Sequence, residues 1–318
     1  MPHYAIGVDL GGTKTLTALV DGRGRVVARV RVATPTTGPD EVIEAIVASV
    51  AELSNRSGVA PRSALGVGVG APGPLDPDSG IVFEPPNLSG WRDVPLAARM
   101  AERLGVPTFV ENDANAAAMG ERWVGAGRGV DDLVYLTVST GIGGGLILGG
   151  RLYRGASGTA GEVGHMVIAR GGPLCGCGRA GCLEALASGT AIAREARLAV
   201  ESGRPTVLSQ VPPEVITAEA VARAAEEGDP LAREIFAGAA AALGVGITNL
   251  VNLLNPALVI VGGGVSRAGE LLFAPVRRIV QAEAFERPGA AVRVVPAALG
   301  DDVGVIGAAA VVYERVRS

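Results

Sequence analysis

One pattern occurs twice in this chain. Tyr4–Asp9 reads as a strand, Gly11-Gly12 as a tight turn and Thr15–Val20 as a second strand. The turn signal Asp21-Gly22-Arg23-Gly24 then leads into a third strand, Arg25–Val32. The pattern restarts at Asp132–Ser139, a strand entering the Gly-rich turn Thr140–Gly145. Leu146–Leu148, the turn Gly149-Gly150 and Leu152-Tyr153 complete the second copy. An internal repeat of this kind points to two similar halves. The 318 residues also exceed the ~250–300 at which a single core stops growing. We therefore expect an α/β protein of two lobes with a duplicated β-hairpin core and a ligand in a central cleft.

The rest of the pattern fits between and after these units. Asp40–Gly58 is helical in period, with Val42, Ile46, Val50 and Leu53 on one face. Ala64–Gly70 reads as a buried strand, Pro72–Trp91 as a loop, Pro95–Leu104 as a helix and Thr108–Glu111 as a strand. Toward the C-terminus, Gly189–Gly203, Thr217–Glu227, Pro230–Asn255, Glu270–Phe285 and Val303–Val316 read as helices. Leu258–Val261 and Val292–Pro296 read as strands.

The hairpin turns carry chemistry. In Asp9-Leu10-Gly11-Gly12-Thr13-Lys14, two glycines let backbone amides approach a polyphosphate. Thr13 adds a hydroxyl, and Asp9 at the strand end is placed to hold Mg2+ through water. An ordinary glycine hairpin explains one such turn; the second, with Thr140 and Gly141, makes a clamp on a triphosphate the better reading. After the later strand, Gly262-Gly263-Gly264 offers a surface free of side chains for an adenine, with Gly263 and Gly264 as contacts.

Glu111-Asn112-Asp113-Ala114-Asn115 runs from a strand into a helix. Phosphoryl transfer to a hydroxyl needs positioning, magnesium and a carboxylate to take the proton. Asp113 fits that role, with Asn112 as a hydroxyl partner. Helix capping, for which Asn and Asp are favoured, is the competing explanation.

All three cysteines, Cys175, Cys177 and Cys182, fall within eight residues, just after His165. Three Cys and one His form a complete tetrahedral set with no position for water, so a structural Zn2+ is expected. Glu162 and Glu184 flank this segment and are candidate partners for sugar hydroxyls. His165 has a second ring nitrogen for the same purpose. Asn87, in the loop Pro86–Trp91, is a further candidate.

Charge excludes some partners. The net charge is −4, Lys14 is the only lysine, and no basic stripe appears. Nucleic acid and anionic membrane are therefore not expected as partners. The start MPHYAIGVDLGG lacks the basic and apolar regions of a signal peptide. The run nearest to a membrane span, Ala237–Leu254, is rich in Ala and Gly and contains Asn249 and Asn252, which suits a buried helix. A cytoplasmic protein is expected.

The segments DLGGTKT, APGPLD, PNLSGW, ENDANAA, STGIGGG, GTAGEVGHM, CGCGRAGCLE and IVGGGVS resemble those of the ROK (repressor, open reading frame, kinase) sugar kinases along nearly the whole chain. The resemblance is strongest to the zinc-containing bacterial glucokinases. It implies an actin-like ATPase (ribonuclease H-like) fold and a cleft that closes on the sugar. Residues 1–112 would form a small N-terminal lobe joined by a C-terminal helix, 301–318, and residues 113–300 a large lobe with the zinc knuckle. It implies ATP, Mg2+ and structural Zn2+, with glucose or a related hexose as substrate and a homodimer or homotetramer as the assembly. Asp113 would act as base on the C6 hydroxyl, while Gly73, Asn87, Asn112, Glu162, His165 and Glu184 grip the sugar. Kinases for N-acetylglucosamine, N-acetylmannosamine, mannose or fructose, and polyphosphate-dependent glucokinases, are the competing members. Repressor members carry an N-terminal helix-turn-helix; here the phosphate strand begins at Tyr4, which favours the enzyme.

Overall fold

A computed structural model describes residues 4–317. Two five-stranded sheets carry it, built to one plan. In the first, β1 (Tyr4–Leu10), β2 (Lys14–Asp21) and β3 (Val26–Ala33) form an antiparallel meander. β4 (Val67–Ala71) then pairs parallel with β1. A short ribbon, β5 (Leu75–Asp76) and β6 (Ile81–Val82), interrupts the stretch expected to be loop. β7 (Thr108–Asn112) closes the sheet parallel to β4, giving the order β3-β2-β1-β4-β7.

The second sheet comprises β8 (Leu133–Val138), β9 (Ile142–Leu148), β10 (Arg151–Leu152), β11 (Leu258–Gly262) and β12 (Arg293–Pro296), in the order β10-β9-β8-β11-β12. β11 is parallel to β8, and β12 to β11. Counted from its own first strand, each sheet has the same order. The repeat seen in the hairpins thus extends to two parallel strands per sheet. β9 begins at Ile142, so Gly143, Gly144 and Gly145 are strand residues and not the turn expected there.

The chain divides into two compact units. One contains Met1–Gly129, Gly145–Ala160 and Ala298–Ser318; the other contains Val130–Gly144 and Gly161–Ala297. The boundary differs from the 112/113 division expected from the sequence. The reason is α3 (Asp113–Val124), which packs on α10 (Val303–Arg317) within the first unit. The backbones meet so closely that a β-carbon on Gly307 would lie 2.1 Å from the carbonyl oxygen of Ala116.

The helix α1 (Pro39–Ser57) shows how local signals serve packing in the first unit. Pro39 opens it, Asp40 and Glu41 complement its N-terminal dipole, and Gly58 ends it at φ 71° with its N–H on Ser54 O. Its Val42, Ile43, Ile46, Val50 and Leu53 are buried against the sheet in one apolar cluster with α2 (Leu96–Leu104). Each such side chain contributes ~1.5–3 kcal/mol of burial.

In the second unit, α4 (Leu183–Ala187), α5 (Gly189–Glu201), α6 (Ala218–Glu226), α8 (Glu270–Glu283) and α9 (Glu286–Ala291) surround α7 (Pro230–Leu254). The Asp229 side chain caps α7 by accepting the Ala232 N–H at 2.8 Å. α7 is long and apolar enough to cross a membrane by composition. Its Phe236, Leu243, Ile247 and Val251 are fully buried in the unit, as expected for a core helix. α4 and α9, at five and six residues, are too short for their period to be read from sequence.

Candidate active site and metal centre

In the first unit the candidate residues gather at the carboxyl ends of parallel strands, where α/β sheets bind ligands. Register places Asp9 of β1 opposite Gly70 of β4, and Gly70 opposite Glu111 of β7. The glycine turn after β1 is pinned from behind. Thr34 donates its hydroxyl to Gly11 O at 2.7 Å and its N–H to Thr13 O at 3.0 Å. Thr13 and Lys14 are exposed at the tip. Gly12 lies against the Asn87 backbone, where a β-carbon would stand 2.6 Å from the carbonyl oxygen. The turn and the Asn87 loop are therefore neighbours. Burial pushes the Asp9 carboxyl above the usual carboxylate range, and the Lys14 charge partly offsets this.

Asn112, not Asp113, caps α3. Its Oδ1 accepts the N–H of Ala114 at 3.0 Å and of Asn115 at 3.2 Å. That fixes the side-chain amide so that Nδ2 faces Gly73, whose missing β-carbon would lie 3.4 Å away. Asp113, the first helical residue, is exposed, and its Oδ1 accepts the Ala114 N–H at 2.7 Å. The competing explanation of this motif, helix capping, thus applies to the asparagine and leaves the aspartate at the helix N-terminus, where negative charge is favoured.

In the second unit, His165, Cys175, Cys177 and Cys182 converge, with their ligand atoms all within 4.8 Å of one another. Ligands at zinc–nitrogen and zinc–sulfur bond lengths stand ~3.5–3.8 Å apart around a tetrahedron. Cys177 Sγ is 3.7 Å from Cys182 Sγ, and Cys175 Sγ is 3.7 Å from His165 Nδ1. Backbone pairing builds the knuckle. Cys175 donates its N–H to Arg179 O at 2.8 Å, Gly178 donates to Cys175 O, and Val167 bridges to Cys182. Burial pushes the Cys175 thiol up to about 12 and raises Cys182 too. The backbone and side-chain donors of Arg179 draw Cys177 down to about 6. The donor set and its spacing fit a four-coordinate ion of the zinc type. With Nδ1 turned to the thiols, His165 Nε2 is left toward Glu162, 4.0 Å from Oε2.

Glu184 ties this knuckle to β9. Its Oε2 accepts the Ile142 N–H at 2.9 Å, and Oε1 lies 3.5 Å from Cys175 Sγ. Gly141 is bare because a β-carbon there would stand 2.4 Å from the Glu184 carboxylate. The turn bearing His165 is pressed onto the same strand, since a β-carbon on Gly164 would stand 2.1 Å from Ile142 O. One residue, Ile142, thus anchors Glu184 and the turn that bears His165.

A cavity of about 660 Å³ lies beside them within the second unit. Thr140 and Gly264 line it, as do Thr190, Arg197, Thr217, Glu219 and Arg223 from α5, α6 and the segment joining them. Gly263 is not part of the wall. It sits at φ 86°, where a β-carbon would stand 2.4 Å from Val138 O, and Gly264 begins a 3-10 turn. Sequence reasoning misses the α5 and α6 side of this cavity because nothing local marks it. It also misses Glu111, whose spacing of four from Asn115 is the available signal.

Two sheets of identical plan, with an exposed carboxylate at a helix start and glycine turns after the first strand of each, define an actin-like ATPase fold of the sugar-kinase type. The ROK family model matches residues 5–315, and the chain belongs to that family. It is 40% identical over 314 residues to the glucokinase of Thermotoga maritima, covering 98% of each chain. A ROK family glucokinase from Streptomyces griseus, solved in complex with glucose and AMPPNP, is 39% identical with a TM-score of 0.84, covering 98% of this chain and 99% of that one. A ROK hexokinase from Thermus thermophilus is 38% identical with a TM-score of 0.82, covering 99% of both.

Proposed function

We propose that the protein transfers the γ-phosphoryl group of ATP to the 6-hydroxyl of glucose. The observation that carries this reading is the division of labour at α3: Asn112 supplies the cap, and the Asp113 carboxylate stands exposed beside it. Asp113 takes the hydroxyl proton as the sugar oxygen attacks phosphorus, and the bond from phosphorus to the bridging oxygen of ADP breaks. Mg2+ would neutralise phosphate charge, and Asp9 would hold it through water. Gly11, Gly12, Thr13 and Lys14 meet phosphates; Thr140, Gly141, Gly263 and Gly264 serve the nucleotide. Asn112, Asn87 and the backbone at Gly73 orient the sugar.

Zinc held by His165, Cys175, Cys177 and Cys182 keeps its full ligand set and has no catalytic position. Its role is to fix the loop that presents Glu162, His165 and Glu184 to the C1 and C2 hydroxyls. A site that pairs with a hydroxyl rejects a sugar in which that hydroxyl is replaced, because buried polar groups lose their partners. Glucose is therefore expected to have a higher kcat/KM than N-acetylglucosamine or N-acetylmannosamine. The deciding experiment is a coupled kinase assay over glucose, mannose, fructose and both acetylated hexosamines, each with MgATP or polyphosphate. A higher kcat/KM for an acetylated sugar, or activity with polyphosphate alone, would overturn this reading.

A further inference from the structure

Glu111 is 1% exposed, at the end of β7. Its Oε2 accepts from Arg154 Nε at 2.8 Å and Nη2 at 2.7 Å, a two-point ion pair. Its Oε1 accepts the N–H of Asn112 at 3.1 Å and the Nδ2 of Asn115 at 3.0 Å. One carboxylate thus holds the residue before Asp113 and the residue two beyond it. Arg154 reaches in from the segment after β10, where its own carbonyl accepts the Ala160 N–H at 2.9 Å. Apolar residues of similar volume usually stabilise a core at least as well as a buried ion pair. What an apolar pair cannot do is hold one directed acceptor, Glu111 Oε1, against two donors of the turn that presents Asp113. We propose that Arg154, acting through Glu111, is a positioning residue that sets the Asp113 carboxylate for proton transfer. This rests on the reading of Asp113 as the base.

The test compares full-length Arg154→Met, Arg154→Lys, Asp113→Asn and the Arg154→Met/Asp113→Asn double variant. Displacing a reacting group by about 1 Å can cost on the order of a hundredfold, so Arg154→Met is expected to lower kcat about a hundredfold with the KM for glucose little changed. In the Asp113→Asn background, the same change should lower the residual kcat by no more than about threefold, because the two groups act as one unit. Arg154→Lys, which keeps the charge but not the fork, should recover part of the rate. Amide exchange at Ala114 and Asn115 should quicken by about tenfold or more in Arg154→Met, reporting a loosened cap. Equal losses of kcat in both backgrounds would overturn the proposal, as would a lowered Tm with kcat unchanged. If Arg154→Met does not fold, Arg154→Lys carries the same comparisons. If the native protein phosphorylates no hexose, the proposed function fails. The exchange measurement still decides the positioning role, and unchanged rates at Ala114 and Asn115 refute it.

Discussion

A β-carbon on Gly304 would stand 2.5 Å from Cγ of Asp9 and 2.6 Å from its Oδ2. The carboxylate proposed to hold magnesium is therefore seated on bare backbone in the first turn of α10. Gly304→Ala is expected to push Asp9 from that seat. Steady-state kinetics should show a loss of kcat/KM for MgATP of about ten- to a hundredfold, with the KM for glucose nearly kept. Unchanged nucleotide kinetics would show that the seat does not matter.

The same burial has a cost in stability. The Asp9 pKa is raised in the folded protein, so the native state holds this proton more tightly than the unfolded chain. The contribution of the group is then best in acid and is lost as pH rises from the unfolded carboxyl value through the raised folded one. At pH 7, well above the unfolded carboxyl value, the group is a net cost without a bound cation. Asp9→Asn should raise the Tm of the ligand-free protein by about 1–3 °C at neutral pH, and the gain should vanish below about pH 4. Thermal denaturation across pH checks this, and a lower Tm for the variant at pH 7 would count against it.

Asp113→Asn removes the proton acceptor and keeps the shape. Turnover should fall by about 10²–10⁴, the range of a general base, while calorimetry finds the glucose Kd within a few-fold of native. Near-native turnover would remove Asp113 from the mechanism.

The metal site makes a compositional prediction. Elemental analysis of purified protein should find one zinc per chain, and Cys177→Ala should lose it. Because His165 and Glu184 contact the same knuckle, that variant should also bind glucose at least about tenfold more weakly. Retained glucose affinity in a zinc-free protein would separate the knuckle from the sugar site.

Glu121 is fully buried and serves structure. Its Oε1 accepts the N–H of Ala298 and of Leu299, each at 2.9 Å, and its Oε2 that of Ala126 at 2.7 Å. Glu121→Ala strands three amides and should cost about 3–5 kcal/mol, read as a lower midpoint in denaturant. Glu121→Gln, which keeps one acceptor oxygen, should cost less.

Features set by neighbouring residues are legible in the chain alone. The β1–β2 turn needs only Gly11-Gly12 between alternating strands, and α1 needs only its apolar period, Pro39 and Gly58. The metal cluster is legible because three of its ligands lie within eight residues, so the local chain already limits their distances. Glu111 meeting Arg154, Gly304 seating Asp9 and Glu121 binding the amides after β12 join residues far apart in sequence, and no local pattern encodes such pairs. The glycines of β9 show the same limit: their composition suggests a phosphate turn. Gly144 is instead bare because Val163 and Gly161 press on it, a β-carbon there standing 2.6 Å from Val163 Cγ2. By itself, the sequence determined the repeated strands, the helices with a clear period, the metal ligands and the Asn112-Asp113 helix start, all of which depend on backbone preference and short-range spacing. Only the tertiary structure decided which side-chain oxygen caps α3, which buried carboxylates are neutralised and what walls the cavity beside Thr140, because those depend on packing between segments that sequence order leaves apart.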